Sequence, residues 1–220
     1  MVAFHFCFDL NHFGFLQPPQ QFLLDPLWTV QRASIVTLFM FCAGVSQSMA
    51  HRQGQSWSRF GHRWLQIAAC ALLVSLATWL MFPQSWISFG VLHGLAVMVV
   101  LARLCAAWPP VLLLALALVA LLLPLGVSHP IFDERWLQGV GLVTHKPITQ
   151  DYAPVLPWMG AVLVGLALGP RLFTLPAVQR WQPPRALVWL KWLGQWPLTI
   201  YMVHQPLLWG LLWAAATMRG

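Results

Sequence analysis

Apolar residues run along this chain in long unbroken blocks, without the alternation of a half-buried strand or the one-sided stripe of a surface helix. Seven blocks stand out, at residues 1–16, 28–50, 64–82, 87–107, 110–127, 155–170 and 196–216. Most approach the roughly 20 residues that a helix needs to cross a bilayer. They are separated by polar or proline-rich stretches: QPPQQ, HRQGQSWSRFGHR, PQSW, AAWPP, and the longer segments 128–154 and 171–195. The pattern predicts an all-α polytopic membrane helix bundle of about seven transmembrane helices in one domain spanning 1–220. The first helix is incomplete: from Met1 to Leu16 it reaches only about 24 Å at 1.5 Å per residue.

Composition agrees. Hydrophobic residues make up 59% of the chain and charged residues 8%, where a soluble domain carries about 25% charged residues. The net charge of +7 would suggest nucleic acid in a soluble protein. Here its distribution reports sidedness instead, and no nucleic-acid partner is expected. One set of alternate connections holds Arg52, Arg59, Arg63, Arg103, Arg171, Arg180, Arg185 and Lys191 without an acid. The other holds Asp25, Asp133, Glu134 and Asp151 against Arg135, Lys146 and Arg219. By the positive-inside rule the first set faces the cytoplasm. The N-terminus is then inside and, with seven crossings, the C-terminus outside. RALVWLKWLGQW (185–196) mixes Trp, Leu and cations in the manner of an interfacial helix on the inner leaflet.

Two charges fall inside the predicted spans and outside those connections, Asp9 and Arg32. Ionisable groups in hydrocarbon cost roughly 2.5–3.5 kcal/mol each on the mildest insertion scale, so such residues mark function or a protein-facing surface. In the first block His5, Asp9 and His12 stand at i, i+4 and i+7 and share one helix face. An aspartate one turn from a histidine is placed to orient its ring. In the fourth block Gly90 and Gly94 flank His93, a small-xxx-small spacing that lets a neighbouring helix approach. In the last, Tyr201 and Gln205 share a face beside His204. The fifth block, VLLLALALVALLLPL, carries no polar side chain and is expected to face lipid. His51, His62, His129 and His145 are read as solvated loop residues.

Dedicated cofactor motifs are missing. There is no HExxH, no CxxC pair, no GxGxxG and no Walker sequence, so no metal is expected. The cysteines (Cys7, Cys42, Cys70, Cys105) lie in or beside apolar blocks and read as small hydrophobes.

Five stretches then carry a resemblance: MVAFHFCFDLNHFGF (1–15), RASIVTLFMFCAGVS (32–46), ISFGVLHGLAV (87–97), QDYAPVLPWMGAVLVG (150–165) and LTIYMVHQPLL (198–208). Taken in order, they resemble the bacterial branch of the heparan-alpha-glucosaminide N-acetyltransferase family, within the transmembrane acyltransferases. Family members usually carry a basic residue and an Asp-x-x-Arg-Gly motif just before the first span. This sequence begins after that point, so an N-terminally truncated domain is expected.

The resemblance implies transfer of acetyl from cytoplasmic acetyl-CoA, as cosubstrate, to an amino or hydroxyl group of a sugar on the outer side, in a bacterial inner membrane. On that reading His5, oriented by Asp9, accepts acetyl or acts as general base. His12 remains a second candidate for that histidine, and His93 is a further acid–base group. Arg32, Tyr201, His204 and Gln205 bind substrate or stabilise the oxyanion, and Asp151 holds a cationic amino-sugar at the outer mouth. Arg52, Arg59, Arg63 and Arg185 meet the coenzyme A phosphates, for which guanidinium forks are apt. Two other readings stay open: a small proton-coupled transporter or flippase, since interior His and Asp also make proton relays, and a non-catalytic membrane protein. The residues leave the acceptor and any homo-oligomer undetermined.

Overall fold

The structure, a computed structural model, describes residues 1–22, 24–182 and 184–219. Among these residues the chain is helical, with no strand. In chain order the helices are α1 (Val2–His12), α2 (Pro26–Arg52), α3 (Trp57–Met81), α4 (Val91–Cys105), α5 (Pro110–Gly126), α6 (Val155–Leu172), α7 (Pro176–Arg180), α8 (Val188–Leu193) and α9 (Pro197–Arg219). Three short 3₁₀ turns interrupt the connections at Pro130–Asp133, Gln138–Val140 and Arg185–Leu187.

Each of the seven apolar blocks is a helix, with shifted ends. By length and composition, α2, α3 and α6 are long and apolar enough to cross a membrane. Helices α4 and α5 are apolar but shorter. The largest shift is at α3, which starts at Trp57 rather than near residue 64 because Ser56 caps it, its hydroxyl accepting from the Arg59 amide. Arg59 and Arg63, expected in a loop, therefore sit on the first turns of a helix. A second correction concerns Arg103. Expected among the loop cations, it lies within α4 and is buried.

The chain groups into two compact units: Met1–Ile35 with Trp181–Gly220, and Val36–Arg180. In the larger unit α6 runs through the core, with Met159–Val162, Leu163, Gly165–Ala167 and Gly169 all buried. Its glycines set the packing. A Cβ at Gly165 would strike the Phe41 carbonyl, one at Gly169 the Ser48 hydroxyl, and one at Gly44 of α2 the Val162 carbonyl. Small residues let α2 and α6 approach backbone to backbone, the device membrane helices use where no hydrophobic effect drives them together. The register rises together on both helices (Phe41 with Gly165, Ser48 with Gly169), so they run parallel. Gly160 of α6 docks α5 at Ala117 and Leu121. Helix α5 buries Leu113, Ala117 and Ala120 on that face and exposes Val111, Leu118 and Val119 on the other. Helices α3 and α4 are antiparallel, with Trp64 Nε1 donating to the Ala96 carbonyl (2.9 Å) and Ser75 reaching back to Ile87 and His93.

In the smaller unit, α1 packs between aromatics and α9. Phe4 and Phe8, one turn apart, meet Phe22, whose ring stacks on Trp28 at 4.1 Å. The next stripe of α1 faces α9. The stretch read as an interfacial helix forms the Arg185–Leu187 turn and α8, with Trp189, Trp192 and Trp196 exposed.

Candidate functional site

The i, i+4, i+7 stripe of α1 lands on the last helix, residue against residue. The His5 ring lies 5.1 Å from the His204 ring, centroid to centroid. Both carboxylate oxygens of Asp9 accept from Gln205 Nε2, at 3.0 and 3.1 Å. The His12 ring lies 4.9 Å from Trp209. Register again rises on both helices, so α1 and α9 are parallel. Asp9 has no exposed surface. A buried carboxylate is tolerated only with charge-assisted partners, and Gln205 supplies one. The expected Asp9–His5 hydrogen bond is not formed among the described residues, nor is an Asp9–Arg32 ion pair; Gln205 takes the carboxylate instead.

His204 is oriented by its own helix. Its Nδ1 lies 2.9 Å from the Ile200 carbonyl and 2.8 Å from that of Tyr201. A carbonyl only accepts, so Nδ1 carries the proton. Its Nε2 is buried without a partner, as is Gln205 Oε1. Tyr201, one turn earlier, holds its ring 5.9 Å from that of His204.

His93 and Asp151 belong to the larger unit and are engaged differently. The Gly90 amide donates to His93 Nδ1 (3.3 Å), which makes that nitrogen the acceptor and Nε2 the N–H. His93 Nε2 then donates to the Ser75 hydroxyl (3.0 Å), which in turn donates to the Ile87 carbonyl (2.6 Å). Both ring nitrogens are thereby committed to closing the start of α4. Asp151 joins them: its Oδ2 accepts from the Val91 amide at 2.7 Å, favourable at the positive end of a helix. Around them the 83–90 and 128–154 segments interlock. Gln138 donates to the Ser88 hydroxyl, Tyr152 to the Gln138 carbonyl, Thr149 to the Trp86 carbonyl and Gln150 to the Ser85 hydroxyl. Burial, reinforced by the Asp133 charge, pushes the Tyr152 phenol up to about 12. The Thr144 hydroxyl holds the Asp133 carboxyl below its ordinary range.

The expected phosphate-binding arginines divide. Arg59 and Arg63 line a cleft of about 700 Å³ at the α2–α3 connection, together with Ser46, Gln53, Gln55, Ser58 and His62. Arg52 ends α2 exposed and is not among the lining residues; Arg185 lies in the other unit. His62, read as a solvated loop residue, is exposed at this cleft but on α3. Beneath it Arg103, which the sequence reading did not select, donates through Nη2 to the Gln55 carbonyl. Its guanidinium lies 5.2 Å from the Trp57 ring and 5.8 Å from that of Phe60. The signal was available, since Arg103 falls inside the block 87–107. Among the described residues no group of His, Cys, Asp and Glu could hold a metal.

Neither a curated protein nor a solved structure matches the sequence significantly. The profile of the family described as "Heparan-alpha-glucosaminide N-acetyltransferase, catalytic" matches residues 1–206. That match takes in α1 with its His5–Asp9 stripe and α9 through His204 and Gln205, and by it the chain belongs to the heparan-alpha-glucosaminide N-acetyltransferase catalytic family of membrane acetyltransferases.

Proposed function

We propose that this protein transfers acetyl from acetyl-CoA on the cytoplasmic side of a bacterial inner membrane to an amino or hydroxyl group of a sugar-like acceptor on the outer side. The observation that carries this reading is the buried cluster His5, Asp9, His204 and Gln205 on the paired helices α1 and α9. A helix pair that spends the cost of a buried carboxylate has a use for polarity there, and acyl transfer between a thioester and an amine needs a proton acceptor and a group to stabilise developing charge.

On this reading the cleft bearing Arg59 and Arg63 meets the anionic end of acetyl-CoA. Its volume and guanidinium lining suit a polyphosphate, and Arg52, at the end of α2, adds positive charge to the same connection. The acceptor is bound from the side of Tyr201 and Arg32. His5 remains at the reacting group, against His204. His93 and Asp151, whose bonds close the start of α4, shape the outer mouth. That role for Asp151 replaces the direct grip on an amino-sugar suggested by its place in the sequence.

The test uses the full chain in lipid nanodiscs with radiolabelled acetyl-CoA and glucosamine. Labelled N-acetylglucosamine is the expected product, and His5→Ala lowers its rate, since the variant loses the ring packed against His204. A chain that neither binds acetyl-CoA nor labels an amine or hydroxyl acceptor would overturn the reading.

A further inference from the structure

We infer that His204, rather than His5 or His93, is the proton acceptor of the transfer. The inference rests on the acetyltransferase reading above and assigns a role within it. Four histidines fall in the segments of interest, His5, His12, His93 and His204, and among the described residues side-chain hydrogen bonds orient the rings of the last two alone. His93 has an acceptor nitrogen filled by the Gly90 amide and a donor nitrogen committed to Ser75. Its lone pair is occupied. His204 is the reverse. The Ile200 and Tyr201 carbonyls fix the proton on Nδ1, so the lone pair is on Nε2. That nitrogen is buried and unpartnered in a residue only 9% exposed. A buried basic nitrogen without a donor is costly for a structural residue, yet it is the state a general base must occupy before substrate arrives. Tautomer fixation by a backbone carbonyl serves the same end as the carboxylate of a catalytic triad.

The surroundings match an incoming donor. Gln205 Oε1, the next residue of α9, is also buried and unpartnered, and its Nε2 is spent on Asp9. The titratable groups facing His204 are His5 and Asp9 from α1 and Tyr201 from its own helix. The packed pair thus presents acceptors to an N–H or O–H group of a substrate. The step balances as follows. The acceptor amine or hydroxyl lone pair forms a bond to the thioester carbonyl carbon of acetyl-CoA, and its proton passes to His204 Nε2. The C–S bond then breaks, the electron pair leaves on sulfur, and the imidazolium returns the proton to give the free thiol. His5, in ring contact with His204, is a positioning residue in this step.

The discriminating variant is His204→Asn. Its side-chain amide can place an N–H where Nδ1 donates, preserving the bonds to Ile200 and Tyr201, while nothing replaces Nε2. In the nanodisc assay with glucosamine, His204→Asn is expected to lose at least 100-fold in kcat, together with the limb of the pH profile that rises as a histidine deprotonates. Acetyl-CoA binding and thermal midpoint should stay near those of the unaltered protein. A variant within threefold of the unaltered rate, with that limb intact, overturns the assignment and leaves the acetyltransferase reading standing. A second measurement needs no turnover. In ¹⁵N spectra of histidine-labelled protein, the resonances lost in His204→Asn should be those of an Nδ1–H tautomer. An Nε2–H tautomer there overturns the inference by itself, even for a chain that transfers no acetyl group. Should the Asn variant fold poorly, the tautomer measurement still decides, with the lost resonances assigned by selective labelling.

Discussion

Asp9 has no surface and a single amide to hold it, so Gln205 is the side chain whose loss the small unit should feel most. Replacing it by leucine leaves both carboxylate oxygens without a donor. Orphaning a buried acceptor costs about 1–3 kcal/mol, more when it is charged. Gln205→Leu should therefore lower the thermal midpoint in detergent clearly, while Asp9→Asn, which keeps an oxygen for Gln205 and sheds the charge, should lower it less. An equal loss in both would show that the pair is not what holds α1 to α9. Tyr152 offers a second check at this scale. Its hydroxyl donates to the Gln138 carbonyl at 2.7 Å, and its pKa is pushed up to about 12, first by burial and then by Asp133. The folded loop favours the neutral phenol, so its contribution is fully present below pH 10, the ordinary tyrosine value, and is lost as pH rises through about 12. An ultraviolet titration should show a phenol component ionising near 12 that Tyr152→Phe removes. Residue identities of this kind were half legible. The shared face of His5, Asp9 and His12 follows from helical spacing alone. That Gln205 and not His5 takes the carboxylate does not, because periodicity names a face but never the partner opposite it.

Helix docking explains a feature that the hydrophobic pattern could not weigh. Every span is apolar nearly all round, so hydropathy marks where helices are and is silent on which ones touch. The glycines carry that information. Gly44, Gly165 and Gly169 lie where α2 and α6 meet backbone to backbone, and only the shared small-residue character of CAGVS hinted at it. Gly165→Ala should destabilise the larger unit by about 1–3 kcal/mol, the usual cost of overpacking, since its methyl would meet the Phe41 carbonyl. Gly61 is the control: a Cβ there meets nothing within 4 Å, so Gly61→Ala should gain about 0.5–1 kcal/mol from helix propensity. Denaturant titrations of the two variants, read by tryptophan fluorescence, should move in opposite directions. Boundaries were misread for a related reason. The α3 start carries Arg59, His62 and Arg63, and a polar helical turn is indistinguishable from a loop by hydropathy. The Ser56 cap, an N-cap residue type at the right place, was the overlooked signal.

At the scale of the whole molecule, the two parallel pairings constrain topology without reference to charge. In a chain that reverses at each crossing, helices an even number of crossings apart run parallel. Counting α1 to α6 and then α9 as successive crossings makes α2 and α6 four apart and α1 and α9 six apart, so both pairs should be parallel, as their registers are. The positive-inside rule predicts the same alternation, with Arg59 and Arg63 on one side and Asp133 and Asp151 on the other. Three of these helices satisfy the length and hydropathy needed to cross, and α4 and α5 are apolar but shorter. A topology with one re-entrant helix would break the alternation and place both loops on one face. Single cysteines decide between them. In a background with Cys7, Cys42, Cys70 and Cys105 replaced by alanine or serine, Ser58→Cys and Thr144→Cys are both at exposed positions. An impermeant maleimide applied to intact cells should label residue 144 and leave residue 58 untouched until the membrane is opened. Labelling of both, or of neither, from outside would remove the alternating arrangement, and with it the separation of a cytoplasmic thioester from an outer acceptor on which the proposed transfer depends.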